Sequence, residues 1–163
     1  MNKQIIKNPV SKAKKPDRAA IIISIRPMYA EQIWKGTKKY ELRRNVAPMR
    51  QTPELFVVYE TAPVRLITGF FKCYSYTSAN PRTLWTLGIN NFFDNFSEIY
   101  GVSHSEFQNY FAGAEKGHAI EISEFAKIKP LALNDIGLKF PPQNLQYLNL
   151  EQWNIIFERQ VRA

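Results

Sequence analysis

Residues 21–44 have the sequence IIISIRPMYAEQIWKGTKKYELRR, and the hydrophobic pattern changes twice within them. The first five residues are mostly β-branched and apolar, as a buried strand requires. Pro27 can begin a helix, because its missing N–H would have no partner in the first turn. Apolar residues then recur at helical spacing until Gly36, a residue typical of a helix end. The segment therefore predicts a strand, a short helix and a second strand.

The predicted second strand, KKYELRR, places five charged residues around one tyrosine and one leucine. Side chains alternate across a strand, so Lys39, Glu41 and Arg43 are expected on one face, with Lys38 and Arg44 on the other. A carboxylate between cations is unusual for a solvated edge, and we predict a functional site here. The alternative is a plain ion pair between Glu41 and Arg43.

The formal net charge of the 163-residue chain is +8, and the positive charge is concentrated in two segments. Residues 1–18 contain six lysines and arginines against one aspartate, and residues 26–50 contain seven against two glutamates. Such clustering is typical of a surface that binds polyanions, although charge runs are also often only solvated faces. Arg26 and Lys35 belong to the second segment, so we include both in the candidate binding surface.

The length fits one domain, predicted over residues 19–163, with residues 1–18 as a flexible basic arm. The single cysteine, Cys73, excludes an internal disulfide and suits a cytoplasmic protein. We expect no membrane span and no signal peptide, since no apolar run is long enough. The two histidines lie apart, so neither a metal site nor a cofactor is expected. The oligomeric state stays open.

Two further strands are predicted at residues 55–62 and 65–77, and their short link indicates an antiparallel hairpin. A strand over residues 118–128 and a terminal helix over residues 150–161 follow later in the chain. Short strands that are adjacent in sequence and interrupted by helices favour an α+β fold. We predict a small mixed or antiparallel β-barrel with helices packed outside.

A helical insertion is predicted between the hairpin and the later strand. Asn80 followed by Pro81 is a typical helix start, and Ser103 with Glu106 forms a capping-box pattern for a further helix. The many aromatic residues of this insertion could stack nucleic-acid bases. Their helical spacing favours a hydrophobic core instead.

Residues 36–43, GTKKYELR, match the pattern G-x-K-x-x-E-x-R, which is the signature of the ASCH domain of the PUA-like superfamily. The segments ISIRPMYAEQIWKG and VVYETAPV resemble the first helical unit and a strand end of that family. FQNYFAGAEKGHAIEI and PPQNLQYL resemble two segments of an ASCH subgroup with a closing PPQ motif. The resemblance covers nearly the whole predicted domain.

This resemblance implies a PUA-like barrel with a cleft beside the motif. Its expected ligand is RNA or a nucleotide, with DNA as a further possibility, and some larger relatives are described as regulators of transcription. On the binding hypothesis, phosphates are held by cations of the motif, while Glu41 orients Arg43 or accepts a hydrogen bond from a base amino group. A base stacks on Tyr59, and Gln143 offers a rigidly placed amide. The candidate nucleic-acid-binding residues are therefore Arg26, Lys35, Lys38, Glu41, Arg43, Arg44, Tyr59 and Gln143.

The alternative hypothesis is a hydrolase that acts on RNA or on a modified nucleoside. A ribonuclease could use Lys38 to stabilise the transition-state phosphate and Glu41 as general base. The resemblance also extends to acetylcytidine amidohydrolases, which use the motif lysine and a threonine three residues later. Glu41 occupies that threonine position, and Thr37 lies on the other side of Lys38. This departure argues against an amidohydrolase, and the sequence leaves open whether the protein is an enzyme.

Overall fold

The computed structural model describes residues 18–89 and 99–160. Its elements follow one another along the chain as strands interrupted by short helices. The strands are β1 (Ala20–Ile25), β2 (Tyr40–Arg43), β3 (Glu54–Glu60), β4 (Leu66–Cys73), β5 (Tyr76–Ala79), β6 (Gly117–Glu121), β7 (Phe125–Leu131) and β8 (Leu145–Leu148). The helices are α1 (Pro27–Trp34), α2 (Pro81–Ile89), α3 (His104–Tyr110) and α4 (Leu150–Phe157), with a 3-10 helix at Leu133–Ile136.

The described strands form two sheets, so the protein has the α+β architecture that the sequence predicted. One sheet has five strands in the order β7-β4-β3-β1-β8, and the other has three in the order β2-β6-β5. β1 and β3 are parallel, and the connection between them contains α1 and β2, while the other pairs are antiparallel. These strands therefore pair within two separate sheets, and their pairing does not close into one barrel.

The central strands are buried on both faces, which explains their β-branched composition. Ile22, Val57 and Phe70 belong to a core covered by Trp153 of α4. Residues of the opposite faces of β1, β3 and β4 belong to a second core that also contains Ala30 and Ile33 of α1 and Ile120 of β6. The first predicted unit, a strand followed by a helix and a second strand, is therefore confirmed as β1, α1 and β2.

The predicted hairpin of residues 55–62 and 65–77 is confirmed as β3 and β4, with an irregular register opposite Gly69. A single strand over residues 65–77 is wrong, because the chain leaves the first sheet after Cys73 and begins β5 in the other sheet.

The prediction of one strand over residues 118–128 is also wrong. The chain turns between β6 and β7, where the backbone N–H of Ser123 donates to the carbonyl of Lys72 and the Glu124 carboxylate accepts from Lys72 Nζ at 2.8 Å.

A third core lies beneath the helical insertion. The predicted capping box is present, since Ser103 and Glu106 exchange side-chain to backbone hydrogen bonds at the start of α3. Phe107 and Phe111 are each only 3% exposed and pack with Leu42, which confirms the core interpretation for these rings. Phe92, Phe93 and Phe96, which are among the aromatic residues of the predicted insertion, lie outside the described residues.

Arg18, the last residue of the predicted arm, is buried against the rest of the described chain. Arg18 is 3% exposed, and its Nη2 atom donates to Glu54 Oε2 at 2.6 Å. The rest of the predicted arm, residues 1–17, lies outside the described residues. No helix in the described parts of the chain has the length and apolar character needed to cross a membrane.

Candidate functional site

A cavity of about 430 Å³ lies between the β1–α1 junction, the charged strand β2 and helix α3. Its floor is formed by buried side chains, and its mouth is formed by exposed polar ones. The lining residues are Ser24, Ile25, Arg26, Tyr29, Lys38, Glu41, Leu42, Arg43, Val102, Glu106, Phe107, Asn109 and Tyr110. Lys38, Glu41 and Arg43 of the ASCH-like motif therefore lie in one cavity with Arg26.

Lys38 is the most deeply buried cation of this cavity, at 3% exposure. Its Nζ atom donates to the carbonyl oxygen of Tyr100, lies 3.5 Å from Glu41 Oε2, and lies 5.3 Å from the centre of the Tyr29 ring. Burial lowers the pKa of Lys38, an effect that the Glu41 carboxylate opposes by favouring the charged form. The ammonium group is therefore held in place by the protein and is more acidic than an ordinary lysine.

Glu41 is 7% exposed and connects two cations. Its Oε1 atom lies 3.0 Å from Arg43 Nη2, and its Oε2 atom faces Lys38. The sequence placed Lys38 and Glu41 on opposite faces of one strand, and this expectation is wrong because β2 begins only at Tyr40. Lys38 precedes the strand, so its long side chain can turn toward Glu41.

Arg43 is positioned by two segments that are distant in sequence. Its Nη2 atom also donates to the carbonyl of Ser24 at 2.6 Å, and its Nη1 atom donates to Asn144 Oδ1 at 3.4 Å. The Ser24 hydroxyl in turn donates to the Pro142 carbonyl at 2.6 Å, so the segment around the PPQ motif is fastened to the end of β1. The Nε atom of Arg43 is buried and has no partner in the described structure. One donor of this guanidinium is thus unsatisfied.

Tyr29 of α1 and Glu106 of α3 both line the cavity. Burial and the nearby Glu106 carboxylate raise the pKa of Tyr29. The capping interactions with Ser103 lower the pKa of Glu106, which therefore stays ionised. Tyr110 of α3 is 42% exposed at the same mouth. Its ring offers an aromatic surface beside the charged floor.

Four predicted site residues do not line this cavity. Lys35 is exposed and pairs with Glu31 at 2.7 Å. Tyr59 is 5% exposed and packs in the first core, so its ring has no place in the cavity. Arg44 and Gln143 are exposed. Asn144, which follows Gln143 in sequence, makes the contact to Arg43 instead.

Sequence reasoning missed several residues that complete the site. Ser24, Tyr29 and Tyr110 line the cavity, and Asn144 accepts from Arg43, yet these residues come from four separate segments. Of these residues, Asn144 could have been predicted from the sequence, since it directly follows the PPQ segment. The described residues contain no group of three or more histidine, cysteine, aspartate or glutamate side chains placed to hold a metal ion.

An ASCH domain-containing ribonuclease of Zymomonas mobilis is 30% identical to this protein over 141 residues, which cover 84% of this chain and 89% of the relative. The chain belongs to the ASCH domain family. The crystal structure of the Zymomonas mobilis ASCH protein matches this ASCH domain with a TM-score of 0.75 at 26% identity, over 88% of this chain and 96% of the other. The N-terminal domain of Staphylothermus marinus McrB matches with a TM-score of 0.52 at 9% identity over 86% of this chain and 93% of the other, which shows a shared fold alone. No family model matches the chain.

Proposed function

We propose that this ASCH protein binds single-stranded RNA in the cavity and cleaves it. The observation that carries the proposal is the buried Lys38–Glu41–Arg43 group on the floor of a cavity of about 430 Å³. That volume lies within the range of small-molecule sites, roughly 300–1,000 Å³. The family relationship supports an action on RNA, because the relative from Zymomonas mobilis is named a ribonuclease.

The electrostatics of the cavity suit a phosphate with a ribose beside it. Lys38 and Arg43 carry two positive charges in a partly desolvated place, where each contact to a phosphate oxygen is stronger than in water. Glu41 holds both cations in a fixed geometry, which provides preorganised charge stabilisation. The exposed ring of Tyr110 at the mouth can stack a base.

Cleavage in this geometry uses the ribose 2′-hydroxyl as the nucleophile. Glu41 accepts the hydroxyl proton while the 2′ oxygen forms a bond to the adjacent phosphorus and the bond from phosphorus to the 5′ oxygen breaks. The ammonium of Lys38 gives a proton to the leaving 5′ oxygen, and its lowered pKa makes it a better acid near neutral pH. The products are a 2′,3′-cyclic phosphate and a 5′-hydroxyl end.

Cleavage is tested with end-labelled single-stranded RNA and with the same RNA carrying 2′-fluoro sugars, which lack the nucleophile. We expect Lys38→Met to slow cleavage at least about 100-fold, in the range of general acid–base effects. Lys35→Met is the matched control, because it removes an exposed lysine that pairs with Glu31 outside the cavity. Cleavage of the 2′-fluoro RNA, or full activity of Lys38→Met, would contradict the mechanism.

Binding without cleavage is the second candidate, and one observation favours it. Lys38 and Arg43 already donate to Tyr100, Ser24 and Asn144 of the protein, so fewer donors are left for the transition state. This candidate predicts that the wild-type protein binds RNA with a salt-dependent affinity and leaves it intact. A role in regulating transcription or translation, and DNA as a ligand, stay predictions of the sequence.

Deacetylation of acetylcytidine has no structural observation in its favour. The amidohydrolase relatives use a threonine hydroxyl three residues after the motif lysine, where this chain has Glu41, and the nearest threonine in sequence is Thr37. Thr37 is exposed, and its hydroxyl donates to the Gln32 carbonyl at 3.2 Å instead of lining the cavity.

A further inference from the structure

A second cavity, of about 480 Å³, lies on the opposite side of helix α3. The buried ring of Phe107 belongs to the walls of both cavities, so the two are direct neighbours. The second cavity is lined by residues of α2 and of α3 with its C-terminal neighbour: Pro81, Arg82, Trp85, Thr86, His104, Phe107, Gln108 and Phe111. None of these eight side chains is acidic.

We infer that the second cavity binds a further nucleotide of the same RNA strand that enters the first cavity. The inference rests on the proposed function, since it needs a strand anchored at Lys38 and Arg43. The ligand class is a single-stranded nucleotide, recognised by aromatic stacking and by one phosphate contact.

The aromatic surface of the second cavity is a stack that ends in an exposed ring. His104 is exposed, and its ring lies 4.5 Å from the Trp85 ring with 27° between the planes. Trp85 packs in turn against Phe107 at 4.9 Å, so the stack is fixed to the third core. A base placed on His104 would extend this column, and histidine is one of the side chains on which RNA bases stack.

The phosphate contact is assigned to Arg82. Arg82 lies three residues before Trp85 on α2, so the two side chains share a face of that helix. Its side chain is exposed, and no carboxylate of residues 18–89 or 99–160 forms an ion pair with it. A cation that has no ion-pair partner among the described residues and lies next to an aromatic stack matches the requirements of a single-stranded nucleic-acid subsite.

The surface of α3 allows one strand to pass between the two cavities. A helix is roughly 10–12 Å across with its side chains, a distance that a few nucleotides of an extended strand span. Gln108 and Asn109 are exposed on α3 and offer amide groups at the crossing. The aromatic rings below them, Phe107 and Phe111, are only 3% exposed, so the second cavity offers little apolar surface to a protein helix.

The test compares two lengths of 2′-fluoro RNA, a dinucleotide and a hexanucleotide, by equilibrium binding. The wild-type protein is expected to bind the hexanucleotide more tightly. In the Arg82→Ala, His104→Ala double variant, hexanucleotide affinity should fall at least about tenfold, while dinucleotide affinity stays the same. Lys129→Ala is the matched control, because it removes an exposed cation on β7 and should change neither affinity. Both substituted side chains of the double variant are exposed, so folding is expected to persist.

A second measurement uses Trp85 itself. The hexanucleotide should quench tryptophan fluorescence in the wild-type protein and in His104→Phe, and the quenching should be smaller in Trp85→Phe. If the double variant keeps the length-dependent gain, or if it weakens both oligonucleotides equally, the second cavity is not a separate subsite and the inference fails. If the wild-type protein binds neither oligonucleotide, the proposed function fails instead.

Discussion

Among the residues that the structure describes, Arg18 with Glu54 and Lys38 with Glu41 and Arg43 form two buried groups of opposite charges, and the second group lies in a cavity. Arg18 and Glu54 form a pair at 2.6 Å with side-chain exposures of 2% and 0%. Lys38, Glu41 and Arg43 form the other group, with side-chain exposures between 2% and 12%. Both groups contain buried nitrogen atoms without a partner in the described structure. Burial and unsatisfied donors are therefore not enough to identify a functional site.

The two groups differ in their surroundings. Arg18 also donates to the carbonyl of Pro48 and lies 4.6 Å from the centre of the Tyr147 ring, while Glu54 accepts from the backbone N–H of Arg50. These contacts tie the start of β1 to the loop before β3. Neither Arg18 nor Glu54 lines either of the two cavities described above. We interpret this pair as structural and the cavity group as functional.

The largest expected effect is a loss of stability in Arg18→Met. This change leaves the Glu54 carboxylate buried without its cation, and breaking a buried pair typically costs about 3–5 kcal/mol. The free energy of unfolding, measured with urea, should fall by that amount, and RNA affinity of the folded protein should stay the same. The double variant Arg18→Met, Glu54→Leu serves as control, because it removes both charges and should recover most of the loss. A fall in RNA affinity at unchanged stability would contradict the structural role.

A smaller effect is expected from Gly101→Ala, which tests how the cavity lysine is supported. Gly101 has a φ of +69° and follows Tyr100, whose carbonyl accepts the hydrogen bond from Lys38. An alanine here costs about 1–2 kcal/mol of backbone strain, and its Cβ would overlap Oε1 of Gln32, whose side chain would have to move beside Lys38.

The matched control for that change is Gly113→Ala. Gly113 has a similar φ of +73°, but no atom lies within 4 Å of the position of an added Cβ. Thermal unfolding should show a similar loss of stability for both variants, while only Gly101→Ala should reduce RNA affinity. Equal RNA affinity of the two variants would show that the support of Lys38 does not matter for binding.

The smallest change in stability is expected for Lys38→Met. Glu41 keeps its contact with Arg43 at 3.0 Å, and the variant no longer buries an ammonium group. The free energy of unfolding should therefore change by no more than about 1 kcal/mol, or rise, as is common when a functional charge is removed. Urea unfolding of Lys38→Met beside Arg18→Met makes the comparison direct. A loss of unfolding free energy as large as that of Arg18→Met would show that both groups mainly stabilise the fold.

Much of the fold was predictable because the strongest patterns in the sequence come from burial. The β-branched run of β1, the hairpin of β3 and β4, and the capping box of α3 all follow from local residue chemistry. The breaks at Cys73 and at Glu124 were not predictable, because they depend on pairing with distant strands and with Lys72.

The candidate site was predictable only in its charged motif. Glu41 and Arg43 share a face of β2, as alternation requires. Lys38 joins them from the preceding loop. The backbone N–H of Lys38 donates to the Gln32 carbonyl, which positions that loop. Tyr29 and Asn144 reach the site from other segments, and no local pattern marks such convergence.

The two groups should also differ in how their stability depends on pH, since only the cavity group contains a lysine, and burial lowers the pKa of that lysine. In the unfolded chain Lys38 keeps its proton up to a pH near the ordinary lysine pKa of 10.5, while in the folded protein it loses the proton at a lower pH. Between these two values the unfolded state binds more protons, so stability rises with pH as a result of Lys38. The wild-type free energy of unfolding minus that of Lys38→Met should therefore increase as pH approaches 10.5 from below. A difference that stays flat or falls over this range would show that Lys38 is not desolvated in solution, and the cavity floor would then be open to water.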